Sequence, residues 1–410
     1  MKTLIIIAAL LTPAIARAQC GPDGMDSVCG LVRKSGGVAP LFLLAVPAAS
    51  DPASLTASTG QTVTCSGGVN GTYQPTAATV ATVTSGHCAV DYRGLQVEGA
   101  STNIALQSGN LANVVWSPFG STSAAPTVTA NAAVAPNGTM TAAQVSIPAV
   151  PSWSVSVVYQ GPFAVANSTA EADSIWLQYV SGATTIWLGY AQGAGNVAHT
   201  ACALSTSWTR CPLPFTTSAV SAYFIIGVDS RLSSGESTTG TVFNAWGGQM
   251  EQLPFASSYI ATTSMSVTRT ADQCDASSIT LASTFSASVT VNLEGLPASG
   301  TATATSTTDG THAWTMALDT SGHVKCSYTG TTDTSSLTVS AATPTKIACT
   351  YDGVKLKSWV GGVADTGTAA SLAPATSMTH NYLGWDGTAN YLNGFLGNSV
   401  CIGAYGACAP

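Results

Sequence analysis

Apolar residues recur at every second position in run after run of this chain, and nowhere do they take the 3.6-residue period of a long amphipathic helix. Alternation of period two puts one side of each segment in a core and the other outside it. Short alternating runs separated by turn residues therefore predict an all-β protein built of sandwiches or barrels. Composition agrees. Charged residues are only 8% of the 410 and Gly numbers 40. The remaining polar positions are mostly Ser and Thr, which suit solvent-facing strand positions joined by Gly turns. With 45% hydrophobic residues the chain can bury cores, so intrinsic disorder is excluded.

Met1 to Ala18 reads as a secretory signal peptide, with Lys2, an apolar run from Leu4 to Leu11, and an A-x-A cleavage site at Ala16–Ala18. Cleavage would leave 10 basic against 19 acidic residues, a net charge of −9. Such a chain has no electrostatic footprint for nucleic acid. No membrane span is expected after cleavage, because Phe42 to Val46 is short and bracketed by Pro40 and Pro47. All 11 Cys follow the leader, without metal-ligand spacing, so they read as a disulfide framework formed in an oxidising compartment. Proximity pairs Cys20 with Cys29, Cys65 with Cys88, Cys202 with Cys211, Cys326 with Cys349, and Cys401 with Cys408. Cys274 is left over.

Two hairpins can be drawn residue by residue. In the first, Ser174–Val180 and Thr185–Tyr190 flank a four-residue loop, so Leu177 faces Leu188 and Tyr179 faces Ile186. One face is then apolar (Ile175, Leu177, Tyr179, Ile186, Leu188, Tyr190), while the other carries Trp176, Gln178 and Trp187 beside Gly189. In the second, Asp352-Gly353 is a two-residue turn signal that pairs Tyr351 with Val354 and Cys349 with Leu356. Ile347, Cys349, Tyr351 and Leu356 face the core; Lys355, Lys357 and Trp359 face away. Upstream, Trp314, Met316 and Leu318 alternate, a turn follows at Asp319–Gly322, and Val324, Cys326 and Tyr328 alternate again.

Three segments carry a resemblance: Gly94 to Asn103 (GLQVEGASTN) with Leu106, Ser108, Asn113 and Trp116; Val128 to Thr139 with Ala142 to Val145; and Trp246 to Glu251 followed by Phe255, Ser257 to Ile260, Thr262, Thr263 and Val267 to Asp272. In order and spacing they resemble a module of phage tail fibres, tail spikes and related bacterial surface proteins, a β-sandwich similar to carbohydrate-binding modules. Residues 279 to 403 resemble a laminin-G or concanavalin-A-type jelly roll, through Trp314, Thr350 to Val354, Val360 to Val363, Leu383 to Gly387 and Tyr391 to Leu396. The expected organisation is a signal peptide (1–18), a Gly/Pro/Thr-rich β segment (19–97), a carbohydrate-binding-module-like sandwich (98–272) and a jelly roll (279–405).

Sugar recognition needs flat aromatic faces for pyranose C–H groups and amides or carboxylates for hydroxyls. The candidates are Trp176, Gln178 and Trp187, and then Trp385, Asp386, Asn390 and Tyr391 on a turn of the jelly roll. Each set has a plainer reading, in packing and in turn chemistry respectively. Glu98, Glu251 and Asp272 lie near the two ends of the middle domain and could hold a structural Ca²⁺, or cap turns and pair with Arg93 or Arg269. No other cofactor is implied. Catalytic motifs are missing; Glu171 and Asp173 are the one close acidic pair beside aromatics and would share a strand face. The chain reads as a secreted or surface-displayed glycan-binding protein, its partner a cell-surface or extracellular polysaccharide. Two alternatives stand beside it: a phage or prophage tail-fibre subunit, trimeric if fibre-like, and a polysaccharide-degrading enzyme.

Overall fold

The computed structural model describes residues 40–410 apart from 193–194, 231–235, 237, 277, 373–376 and 409. The expected signal peptide and the expected Cys20–Cys29 pair lie outside the described residues. The described residues form antiparallel β-sheets with no helix among them.

Two sandwiches result, one interrupted by the other. The middle of the chain supplies two five-stranded sheets. The first runs Gly195–Ala203, Thr185–Gln192, Ser221–Asp229, Val155–Ala164, Ser117–Ser121, and is called here the open sheet. The second runs Thr127–Ala133, Ala142–Ile147, Thr241–Glu251, Ala170–Gly182, Thr209–Thr216, and is called the covered sheet. Ile175, Leu177, Phe243 and Ala245 from the covered sheet meet Ile186, Leu188, Tyr190, Phe224 and Ile226 from the open sheet in one buried core.

The enclosing sandwich is assembled from both sides of this insert. The 40–97 segment has no sandwich of its own. Pro40–Ala45 and Gly94–Val97 pair with Gly394–Ala404, and Thr62–Ser66 pairs with Gln273–Ala276. The segment thus adds strands to a nine-stranded and an eight-stranded sheet whose other strands come from residues 273–404. Phe42, Leu44, Val63 and Leu95 accordingly share a core with Phe285, Trp314, Leu356 and Ile402.

The hairpin expected over 174–190 is not one. Ala170–Gly182 and Thr185–Gln192 belong to different sheets and do not pair with each other. The chain turns at Gly182, which holds φ at 87°, and crosses from the covered to the open sheet. Five of the six residues predicted for the apolar face are fully or almost fully buried, and the sixth, Tyr179, packs on the same core. They face one another across the interior instead of lying side by side. Alternation fixes which side of a strand is buried; it does not fix whether the next strand lies beside it or opposite.

The second hairpin forms with a corrected register. Tyr351 pairs with Leu356 and Cys349 with Ser358, so the connection has four residues, Asp352 to Lys355, and the Asp352 carboxylate accepts the Val354 and Lys355 N–H groups at 2.9 and 2.7 Å. The shift is by two residues, which preserves every face: Leu356 is buried while Lys355, Lys357 and Trp359 point outward. The pairing of Trp314 with Tyr328, Met316 with Cys326 and Leu318 with Val324 follows the predicted alternation.

Cys202–Cys211, Cys326–Cys349 and Cys401–Cys408 bond as proximity predicted. The first two each join opposite sheets of a sandwich. Cys65–Cys88 is overturned. Cys65 bonds Cys274, its direct cross-strand partner 209 residues away, and Cys88 is a buried free thiol. The three sulfur atoms lie within 4.8 Å of one another, and burial pushes the Cys88 thiol up to about 12. Nearness in sequence chose the wrong neighbour because the insert brings residues 65 and 274 back together.

Candidate functional site

The outer side of the open sheet gathers aromatic residues from four strands. Cross-strand partners in an antiparallel sheet share a face, so the register itself places them. One row runs Phe119, Val157, Gly227, Trp187, Ala201. The next runs Ser117, Tyr159, Ile225, Gly189, His199, and Tyr223 follows opposite Ala191. The alternate residues of these strands (Val158, Ile186, Leu188, Phe224, Ile226) point into the core, which is why the aromatics are left outside.

Phe119, Tyr159 and Tyr223 form an edge-to-face chain with centroids 6.4 and 6.0 Å apart. Phe119 is 41% exposed; Tyr159, Tyr223 and Trp187 are half-buried, Trp187 touching the core cluster while keeping part of its surface open. Between Trp187 and this trio lie Val157, Ile225 and, directly beside Trp187, Gly227. At roughly 4.8 Å per strand, Trp187 stands about 10 to 14 Å from Tyr159 and Phe119. Gly227 has φ of 149°, and a Cβ there would come within 2.5 Å of the Ser156 carbonyl oxygen, so the position next to Trp187 stays without a side chain.

Polar groups border the Trp187 side. Glu236 accepts the Asp229 N–H at 2.7 Å and pairs with His199 Nδ1 at 3.3 Å. Burial raises its carboxyl to about 7, against the pull of the hydrogen bond from the Asp229 N–H. Near the end of the same sheet, Trp153 is 74% exposed with φ of 63°, its N–H donated to the Ser230 carbonyl. A non-glycine residue held in the left-handed region is the kind of strain that gathers at functional sites.

The sequence-based candidates are distributed differently from expectation. Trp187 alone of its trio lies on this face. Trp176 and Gln178 belong to the covered sheet, on the far side of the sandwich. Trp176 is fully buried against Trp246, Tyr259, Ala142 and Val80, a cluster sealed by the hairpin Thr72–Thr76 and Thr79–Thr82. It is core, so its assignment to an open sugar-binding face is corrected. Both ends of the Gln178 amide are taken, its nitrogen by the Thr206 carbonyl and its oxygen by Asn244, each at 2.9 Å.

On the enclosing sandwich, Trp385 is 9% exposed, donates to the Cys274 carbonyl at 2.9 Å and stacks in parallel with Tyr391 at 6.0 Å. Asp386 caps its own turn by accepting the Thr388 and Ala389 N–H groups and the Asn390 side chain. These hydrogen bonds hold its carboxyl down to about 2, although burial acts in the opposite sense. The four are brought together, as structural turn chemistry.

Glu98, Glu251 and Asp272 are all buried and close to one another, around Arg269, which reaches Glu98 at 3.4 Å and Asp272 at 3.5 Å. Glu98 also accepts Ser258 N–H and Gln96; Glu251 accepts Ser101 and Ser257. A guanidinium therefore supplies positive charge where the sequence suggested a cation. Burial pushes Asp272 up to about 7 against the pull of Arg269.

Glu171 and Asp173 do share a strand face, but it is the inward one, continuous with Ile175 and Leu177. Neither Asp173 oxygen has a hydrogen-bond partner among the described residues, and burial, with the Glu171 charge second, holds this carboxyl well above the ordinary range. Glu171 borders a cleft of about 330 Å³ with Ser101, Ile104 and Gln252. Burial, then the charge of Glu251, raises it to about 7.

Phe119, Tyr159, Tyr223, Trp153, His199 and Glu236 were missed from sequence. Tyr159 and Tyr223 sit in unbroken apolar runs, Val157–Tyr159 and Ala222–Ile226, where alternation gives no face. The exposed Trp153 between Ser152 and Ser154 was the available signal.

No family profile matches the chain, and no curated protein matches it. Solved structures that are similar in part include the following three. Domain 4 of AbnA, a GH43 extracellular arabinanase from Geobacillus stearothermophilus, solved with arabinotriose, is 16% identical at a TM-score of 0.26, over 37% of this chain and 77% of that one. The tandem CBM22-1-CBM22-2 domain of Paenibacillus barcinonensis Xyn10C is 10% identical at 0.26, over 76% and 99%. Domains LG4-5 of the mouse laminin alpha1 chain are 10% identical at 0.21, over 77% and 91%.

Proposed function

We propose that this protein binds glycans outside the cell, and that the aromatic side of the open sheet is its binding face. The observation that carries the reading is the pair of aromatic groups on one sheet face, Trp187 on one side and Phe119–Tyr159–Tyr223 on the other, with side-chain-free Gly227 next to Trp187. Rigid aromatic rings left partly wet on a folded sheet offer stacking surface at low entropic cost. No partner within the protein is found for the Tyr159 and Tyr223 hydroxyls among the described residues, and His199, held by the buried Glu236, supplies a further polar contact. The four disulfides among the described residues fit an oxidising compartment.

The test is a glycan-array screen of the wild-type protein followed by titration of any ligand found. Trp187→Ala and Tyr159→Ala should each weaken binding by about tenfold or more, about 1.4 kcal/mol. Binding that survives both variants unchanged would remove the site from this face.

A further inference from the structure

On the opposite side of the insert, a second cleft of about 570 Å³ opens along the seam between the covered sheet and the hairpin that caps it. This volume lies within the range of small-molecule sites, roughly 300 to 1,000 Å³. Its walls come from five stretches of sequence: Thr72 with Val80 to Thr82, Gln107 to Asn110, Asn137 to Thr141, Trp246, and Tyr259 to Thr263. The seam is fixed by Val80 donating to the Pro136 carbonyl at 3.0 Å and Thr72 to the Tyr259 carbonyl at 2.6 Å.

We propose that this cleft is a second binding site, and that its ligand is an uncharged oligosaccharide. None of its lining residues carries a formal charge. An ionic ligand would have to leave water without a counter-charge, which is costly, whereas a neutral sugar would meet apolar surface at Val80, Ala81, Trp246 and Ala261 and hydrogen-bonding groups at Asn110, Asn137 and the threonines. The amides are oriented in advance. Asn110 Oδ1 accepts the Ala112 N–H at 3.2 Å, and Asn137 Oδ1 accepts the Thr139 N–H and hydroxyl at 3.1 and 2.7 Å. Each carboxamide oxygen is thereby committed to its own turn, leaving the amino group of each as the donor for a ligand. Gln107, on the same wall, holds a φ of 51° while its N–H is donated to the Thr263 carbonyl at 2.8 Å. The floor includes Trp246 and Tyr259, rings 4.5 Å apart, with the Tyr259 hydroxyl held by Ser108 at 2.7 Å. The site stands on these residues whether or not the aromatic face of the open sheet binds sugar.

The experiment uses the full chain carrying Trp187→Ala, so that binding at the open sheet is weakened about tenfold and the cleft variants report on the cleft, titrated calorimetrically with cellohexaose, xylohexaose, maltohexaose and an oligogalacturonide. Asn110→Asp and Asn137→Asp keep the turn-capping oxygen and remove the donor; Thr82→Trp fills the cleft from its exposed rim. At least one neutral oligosaccharide should bind, and each cleft variant should weaken it by about tenfold, the loss expected for one hydrogen bond or more. Thermal melts accompany each titration, and if the Asp variants melt early, Thr82→Trp decides. The proposal is overturned if no neutral oligosaccharide binds the Trp187→Ala protein, if binding is unchanged by Thr82→Trp, or if the oligogalacturonide binds more tightly than every neutral ligand.

Discussion

The two outer sides of the insert sandwich carry similar aromatic residues and put them to different uses. On the covered sheet, Trp176 and Trp246 are 0% and 2% exposed, because the hairpin at residues 72–82 and Tyr259 lie over them. On the open sheet nothing comparable among the described residues covers Trp187, Tyr159, Tyr223 and Phe119. A strand-borne Trp pointing away from the sandwich core is therefore neither core nor platform by itself. A segment from elsewhere in the chain decides which it becomes.

The largest effect that would break this contrast concerns Trp176. Trp176→Ala should destabilise the protein by about 3 to 5 kcal/mol, the usual loss for a large buried aromatic, measured by denaturant unfolding. An unaltered midpoint would mean that the covering hairpin is not seated on that sheet.

A smaller effect separates the interior from both faces. Glu171 titrates near 7 in the folded protein against an ordinary value of 4.5, and Asp173 is raised as well. The folded state therefore binds protons more tightly than the unfolded one. The stability this confers is full below the unfolded values and is lost as pH rises through about 7. Melting should be higher at pH 5 than at pH 8, and Glu171→Gln should flatten the dependence in part, leaving the contributions of Asp173, Glu236 and Asp272. A melting temperature that rises over the same interval would show that other groups dominate.

The smallest effect on stability is expected at Trp187. Trp187→Ala should cost less than about 1 kcal/mol, in keeping with a partly exposed position, while its effect on glycan affinity is the tenfold loss given above. Equal destabilisation by Trp176→Ala and Trp187→Ala would erase the distinction between the two sides.

What could be read from sequence was local. The inward sides of 174–190, 314–328 and 346–359 follow from alternation, and the disulfides spanning 9, 23 and 7 residues follow from nearness. What could not be read depends on distant partners. The change of sheet after Gly182, the bond from Cys65 to Cys274 and the burial of Trp176 under residues 72–82 each join segments that no local pattern connects. Gln178 shows the same limit at the site: its amide looked available because Asn244 and Thr206, which occupy it, are far along the chain.

The Cys65–Cys274 bond has a mechanical consequence. Pro40–Ala45 and Gly394–Ala404 lie side by side in the enclosing sandwich, whereas the insert is confined to the covalent loop between residues 65 and 274. Once the ladder between these two strands has been pulled apart, tension applied between residues 40 and 404 travels along the backbone to Cys65, crosses the disulfide to Cys274 and continues to the far end. The insert lies off that load path. With the bridge intact, both of its outer faces can keep their geometry while the rest of the chain is pulled; once the bridge is reduced, the same load passes directly through them.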